Sequence, residues 1–208
     1  MVSLVSITPD AEKIILHCAR VSSDQTNEST GLIKYLIRHK HWSPFELAHA
    51  VVEISTSRAI ATQILRHRSF SFQEFSQRYS TPSSFKMYGA RRQADKNRQS
   101  SVDDLNDDIK LWFQEAQARV WKFSKDFYDK AVEHGIAKES ARFLLPLNTE
   151  TRLYMAGSIR SWIHYIELRA TEDTQAEHRD IAVRIRDLLA PELPTIAEVL
   201  WQTQIQNV

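Results

Sequence analysis

The stretch Arg66-His67-Arg68-Ser69-Phe70-Ser71-Phe72-Gln73-Glu74-Phe75-Ser76-Gln77-Arg78-Tyr79-Ser80 packs three arginines, one histidine and four serines among four aromatic rings. Cations and hydroxyls at that density read as an anion site. The segment before it carries Ile60 and Ile64 at helical spacing behind an N-cap at Ser57, which predicts a helix over 57–68. Such a helix puts Gln63, Arg66 and His67 on one face. On the residues alone, the three basic side chains could equally be last-turn cations, each favoured by the helix dipole by roughly 0.3 to 1 kcal/mol. Beyond Phe72, an extended chain sets Glu74, Ser76 and Arg78 on one side, and Phe75, Gln77 and Tyr79 on the other. A helical turn there would instead give a surface Glu74 to Arg78 ion pair worth about 0.3 to 0.5 kcal/mol.

Working outward, residues 2–7 are apolar and bounded by Thr8-Pro9, a first strand leading into a helix with Ile14, Ile15, Cys18 and Ala19 on its buried side. A polar loop through Asn27 precedes a second helix marked by Leu32, Ile33, Leu36 and Ile37. Pro44 breaks that helix, and Ala48, Ala50, Val52 and Ile54 then alternate as one strand face. Residues 81–101 are polar, a surface loop that is either a solvated connection or a lid. From Asp103 to His134, Leu105, Ile109, Trp112, Ala116, Val120, Phe123, Phe127 and Ala131 step by three and four, with Gly135 just past the end. That is one long amphipathic helix whose aromatic stripe suits a core or a subunit contact. A short helix over 138–143 stops before Pro146, and 149–155 is rich in β-formers. Gly157-Ser158 caps a helix with Arg160 and His164 on one face and Trp162, Tyr165, Ile166 and Arg169 around the other. The C-terminal segment from Gln175 is helical at Ile181, Ile185, Leu188 and Leu189, then punctuated by Pro191 and Pro194.

The chain has 208 residues, 42% hydrophobic and 25% charged, which fits one globular domain over 1–208. A formal net charge of +1 argues against a nonspecific nucleic-acid binder, so positive charge has to act locally. The single cysteine, Cys18, excludes an intrachain disulfide and a cysteine-based zinc site. His39 and His41 have no third ligand at a recognised spacing, so no metal is expected. With no signal peptide and no apolar run near the roughly 20 residues that span a bilayer, the expectation is a cytoplasmic protein without membrane contact.

Arg-His-Arg at 66–68, then seven residues, then Ser76 with Gln-Arg-Tyr following, resembles the signature of the flavin-dependent thymidylate synthases. Three further elements are similar to that family and appear in its order: His41-x-Ser43-Pro-Phe-Glu46, Ala141-Arg142-Phe-Leu-Leu-Pro, and Gly157-Ser158 to Ala170 followed by Gln175-Ala-Glu-His178. The sequence departs from many members at Leu47, where they carry histidine, at His164, asparagine in some, and at Asp173, histidine in others. The resemblance implies an α+β fold, with a twisted, mainly antiparallel sheet and flanking helices, assembled as a homotetramer with shared active sites. It implies reductive methylation of dUMP to dTMP, with methylenetetrahydrofolate as carbon donor and FAD, reduced by NADPH, as hydride source. Ser43, Arg66, His67, Arg68, Glu74, Ser158, Arg160 and His164 would then meet FAD. Gln63, Arg66, Glu74, Phe75, Ser76, Gln77, Arg78, Arg142 and Arg169 would meet dUMP. His41 would line the folate or reductant pocket, and Arg169 would activate the uracil in place of a cysteine thiolate. The competing reading is a non-catalytic nucleotide or RNA-binding module built on the same 66–80 segment.

Overall fold

The computed structural model describes residues 1–22, 30–97 and 99–201. In chain order its main elements are β1 (Val2–Ile7), α1 (Ala11–Ala19), α2 (Gly31–Arg38), β2 (His49–Ser57), α3 (Arg58–Ile64), β3 (Ser71–Glu74), β4 (Arg92–Gln93), β5 (Ser101–Val102), α4 (Asp107–Glu133), α5 (Lys138–Ala141), β6 (Glu150–Ser158), α6 (Ile159–Arg169), α7 (Ala176–Leu189) and α8 (Pro194–Leu200). The fold is α+β, as expected. Two expectations, Asn27 of the polar loop and Arg98 of the 81–101 segment, lie outside the described residues.

The sheet is antiparallel throughout, in the order β1-β2-β6-β3. β2 and β6 pair along their whole length, from His49 opposite Ser158 to Ser57 opposite Glu150. Because strand side chains alternate, this register lines Ala50, Val52 and Ile54 up with Leu153 and Met155 on one buried face. β6 runs to Ser158, past the expected end at Met155, because β2 on one side and β3 on the other supply ladder bonds that Ala156 and Gly157 would not secure by propensity. Over this face pack α1, α2, α6, α7 and α8, with Trp162, Trp201, Tyr165 and Phe45 as the bulkiest buried side chains. On α1 the buried residues are Ala11, Ile15 and Leu16, while Ile14 is exposed and Cys18 half-buried. The helix sits one step further round than the spacing of Ile14 and Cys18 implied.

Two segments depart from the sequence expectation. The helix begun at Ser57, whose hydroxyl accepts from the Ile60 amide, ends at Ile64 rather than Arg68. Bonds from the Arg66 amide to the Gln63 carbonyl and from the His67 amide to Ile64 tighten the chain into a turn, as it must reverse to enter β3 at Ser71. Gln63, Arg66 and His67 therefore do not share a helical face. β3 in turn stops at Glu74, and Ser76 to Ser80 closes as a turn, with the Tyr79 and Ser80 amides on the Ser76 carbonyl. Neither the extended alternation nor a Glu74 to Arg78 pair survives: Glu74 pairs with Arg58, and Arg78 with Glu139.

The long helix forms, capped by Asn106, whose side chain accepts from the Ile109 amide, and closed at Gly135 with φ 80°. Its stripe is not core: among its residues only Tyr128 and Ala131 are buried, whereas Trp112, Phe123 and Phe127 are 65%, 64% and 58% exposed. The 81–101 segment is more ordered than a solvated connection, since Phe85 bridges to Thr149 and stacks on Trp121, and β4 pairs with β5.

Candidate active site

The signature is locked to the sheet by one aromatic ring. Phe70 packs edge-on against Trp162 at 4.7 Å and lies over Gly157, where an added Cβ would come within 2.5 Å of the ring. Glycine at 157 is thus a packing requirement of the ring above it. With Phe70 fixed, Arg66 and Arg68 stay exposed and make no side-chain hydrogen bond or ion pair among the described residues. His67 instead turns inward, edge-on to Tyr165 at 4.9 Å, and its Nε2 accepts a 3.0 Å bond from Nε of Arg169, the last residue of α6. Burial, then the Arg169 charge and His164, lowers the His67 pKa from the usual 6.5 to about 4, so the ring is a neutral acceptor.

Behind that pair runs a chain of hydrogen-bonded polar side chains, buried at His178 and Tyr165 and reaching the surface at Gln175. His178, fully buried on α7, meets the Tyr165 hydroxyl through Nε2 at 3.1 Å and the Gln63 amide oxygen through Nδ1 at 3.3 Å. Gln63 Nε2 donates to Gln175 Oε1 at 2.6 Å, and Gln175 Nε2 donates to Glu177 at 2.9 Å. Glu177 also pairs with Arg91 of the 81–101 segment. Burial works to raise the Glu177 pKa, but hydrogen bonds from Arg91 and Gln175 outweigh it and hold the carboxyl below its ordinary range. Burial, then Arg169 and His67, brings His178 to about 4, and burial raises the Tyr165 phenol well above its usual value.

At the other end of α3, a small cavity of about 220 Å³ is lined by Arg58, Glu74, Phe75, Ser76, Gln77 and Arg142. Arg58 and Gln63 bracket α3, roughly 8 Å apart along its axis at about 1.5 Å per residue. Glu74 is neutralised by Arg58 and also accepts from the Thr151 hydroxyl at 2.8 Å. Arg142 bonds only its neighbour's carbonyl, at Glu139, so its charge is uncompensated by any carboxylate among the described residues. Gln77 is buried with its Nε2 unpartnered. An orphaned buried donor is costly, on the order of 1 to 3 kcal/mol, and the residue that carries it lines the cavity together with two arginines. Arg78 points away, to Glu139 at 3.0 Å.

A larger cavity of about 710 Å³ lies between Trp42, Glu46 and His49 on one side and Gly157, Ser158, Arg160 and His164 on the other. Ser158 caps α6, its hydroxyl accepting from the Ser161 amide while donating to Glu46 at 2.8 Å. Arg160 holds the other Glu46 oxygen at 2.6 Å, and these two hydrogen bonds lower the Glu46 pKa. Ser69, next to Arg68, also lines this cavity. Ser43 and His41 do not line it; both are exposed on the chain leading into it, and the neighbours Trp42 and Glu46 face the cavity instead.

The structure thus brings Gln63, His67 and Arg169 to one cluster, Glu74 to Gln77 with Arg142 to a second, and Ser158, Arg160 and His164 to a third. The sequence reading assigned no role to Glu46, Arg58, Tyr165, Glu177 or His178, and took Arg91 only as a local cation of the 81–101 segment. Glu46, Tyr165, Glu177 and His178 stood inside quoted motifs, so the motif boundaries carried a signal that periodicity did not. Arg58 and Arg91 gave none, because their partners are 16 and 86 residues away.

Fold and site together define an α+β protein whose antiparallel sheet and capping helices hold arginine-lined cavities at the N-terminal ends of α3 and α6. Its residues 3–195 match the family described as thymidylate synthase complementing protein. A flavin-dependent thymidylate synthase of Synechocystis sp. (strain ATCC 27184 / PCC 6803 / Kazusa) is 54% identical, over 91% of this chain and 89% of that one. A probable flavin-dependent thymidylate synthase of Paramecium bursaria Chlorella virus 1 is 51% identical, over 91% and 90%. Among solved structures, a UMP/dUMP methylase from Streptomyces cacaoi bound with 5-Br UMP superposes with a TM-score of 0.86 at 26% identity, covering 96% of this chain and 92% of the other. The chain belongs to the thymidylate synthase complementing protein family.

Proposed function

We propose that this protein is a flavin-dependent thymidylate synthase, a methyltransferase converting dUMP to dTMP. The methylene comes from 5,10-methylenetetrahydrofolate, and NADPH is the reductant. The observation that carries the reading is the Arg169 to His67 bond, which joins the end of α6 to the 66–80 signature across 102 residues and leaves the guanidinium without a carboxylate partner among the described residues. A cation so placed is free to stabilise negative charge that develops at N3 and O2 of a uracil ring, raising electron density at C5. Gln63 reads the base beside it, and Ser76, Gln77 and Arg142 hold the phosphate in the small cavity with Phe75; Arg66 would reach the nucleotide from the turn that holds His67, and Arg78 would have to leave Glu139 to join it. Glu74 positions Arg58 there.

The larger cavity fits FAD: its volume lies within the range of cofactor sites, and it combines the N-terminus of an eleven-residue helix with Arg160 and the indole of Trp42. Ser158, Arg160 and His164 would hold the cofactor there, with Arg68 beside Ser69 at its edge, Arg66 and His67 in the same turn, and Ser43 and His41 on the chain that leads into it, His41 toward the folate. When bound and reduced, FAD supplies the hydride. The protein's part is to orient the two ligands, exclude water and stabilise charge.

The exposed aromatic face of α4 supports a homotetramer with shared sites, in which the whole chain acts as one domain. No helix among the described residues is long and apolar enough to cross a membrane, and our reading is a cytoplasmic enzyme that binds no nucleic acid. The test is incubation with FAD, dUMP, NADPH and methylenetetrahydrofolate, following flavin absorbance and dTMP. Protein that retains no flavin and forms no dTMP would sink the proposal in favour of a non-catalytic nucleotide binder.

A further inference from the structure

The hydrogen-bonded chain from Glu177 to Tyr165, which runs from the exposed Gln175 and half-buried Gln63 to the buried His178, has a direction, and that direction is set at one end. A carboxylate only accepts, so Gln175 must turn its Nε2 to Glu177, at 2.9 Å. This leaves Gln175 Oε1, which also only accepts, facing Gln63 Nε2 at 2.6 Å. Gln63 Oε1 then faces His178 Nδ1 at 3.3 Å, so that nitrogen carries the proton of the neutral ring. His178 Nε2 is left as an acceptor, and takes the Tyr165 hydroxyl at 3.1 Å. Each link allows one arrangement once the first is fixed, and reversing any single amide would set donor against donor or acceptor against acceptor, at a cost that grows from the exposed Gln175 inward to the buried His178 and Tyr165.

We infer that Glu177 is a positioning residue for pyrimidine recognition: by fixing the direction of this chain it fixes which way the Gln63 amide faces the base. The inference rests on the proposed contact between Gln63 and dUMP. With one N–H engaged by Gln175 and one lone pair by His178, Gln63 offers its second N–H and second lone pair in a single order. Uracil presents a carbonyl oxygen beside the N3–H donor, whereas cytosine presents an amino donor beside a bare N3. An amide free to flip by half a turn could serve either base, while an amide held one way distinguishes them. Arg91 secures the carboxylate from the 81–101 segment but is not what makes it an acceptor.

The tautomer of His178 reports the direction without any turnover. In the full chain loaded with FAD and labelled with 15N-histidine, the His178 signals are identified by their loss in His178→Gln. Wild type is expected to show a protonated Nδ1 and a bare Nε2. Glu177→Gln, whose amide can donate or accept, is expected to add the reversed tautomer, and Arg91→Met, which keeps the carboxylate, is expected to retain the wild-type one. A bare Nδ1 in wild type, or an unchanged single tautomer in Glu177→Gln, overturns the inference. Binding of dUMP against dCMP is measured on the same samples, and the preference for dUMP is expected to narrow about tenfold in Glu177→Gln. A reversed tautomer with an unaltered preference would overturn the placement of Gln63 against the base while leaving the direction of the chain established, so the two failures read differently.

Discussion

Helices α6 and α4 carry the same kind of pattern and meet opposite fates. Both show aromatic residues at spacings of three and four, yet the eleven residues of α6 bury six, including Trp162 and Tyr165, while the 27 residues of α4 bury two. Helix α6 leaves the central strand β6 directly through its Ser158 cap, so its apolar face meets the sheet as soon as it forms. Helix α4 enters from the β4–β5 hairpin and leaves to α5, touching the rest of the chain mainly near its C-terminal end, where Tyr128 and Ala131 pack with Ala141. Periodicity therefore states that a face needs a partner and not which partner it gets.

The comparison is tested hardest by deleting one ring from each helix. Trp162→Ala removes a buried indole and its 3.1 Å bond to the Ala50 carbonyl, and should cost about 3 to 5 kcal/mol in chemical denaturation of the chain. Phe123→Ser on α4 should barely change the fold, measured by far-ultraviolet dichroism, while weakening self-association in sedimentation velocity. Equal loss of folding stability from both substitutions would show that α4 is core after all.

A pH titration sharpens the same contrast, because the histidines packed against α6, half-buried His67 and buried His178, are neutral. His67 and His178 titrate near 4 in the folded protein against 6.5 when unfolded. Between those values the unfolded chain binds more protons, so the stabilisation of the folded state is complete above about 6.5 and is lost as pH falls toward 4. His178→Gln should remove roughly 1 to 3 kcal/mol of that acid-side dependence, read from denaturation midpoints at several pH values. A wild-type stability that stays flat from pH 7 to 4.5 would contradict the neutral buried rings.

At the C-terminal end of α6, Arg169→Lys keeps the charge and loses the planar fork. Turnover should fall at least about tenfold, near 1.4 kcal/mol, in single-turnover oxidation of pre-reduced enzyme with dUMP and methylenetetrahydrofolate, with FAD still bound. Wild-type rates would mean that the arginine only supports His67. The smallest effect belongs to α1, away from both helices: Cys18 is half-buried, and Cys18→Ala should leave turnover unchanged apart from a packing cost below about 1.5 kcal/mol. Abolished dTMP formation in a folded, flavin-loaded Cys18→Ala would restore cysteine catalysis.

Local chemistry was written in the sequence. Ser57 and Ser158 cap their helices because a short hydroxyl side chain can reach a free amide three residues on, which needs no knowledge of the rest of the fold, whereas the long helix starts at Asp107 behind Asn106 rather than at Asp103. The alternation of β2 and the identity of the four motifs were equally legible, since both are relations between near neighbours. Tertiary structure alone decided where α3 stops, because the chain has to reverse before β3, and that reversal turns His67 inward and leaves Arg66 and Arg68 outside. It alone joined Gln63 to His178, 115 residues apart, and Arg91 to Glu177, 86 apart. Hydrogen-bond partners at that separation are chosen by which backbones the sheet and helices bring together, and side-chain chemistry only filters the pairs that packing has already made adjacent.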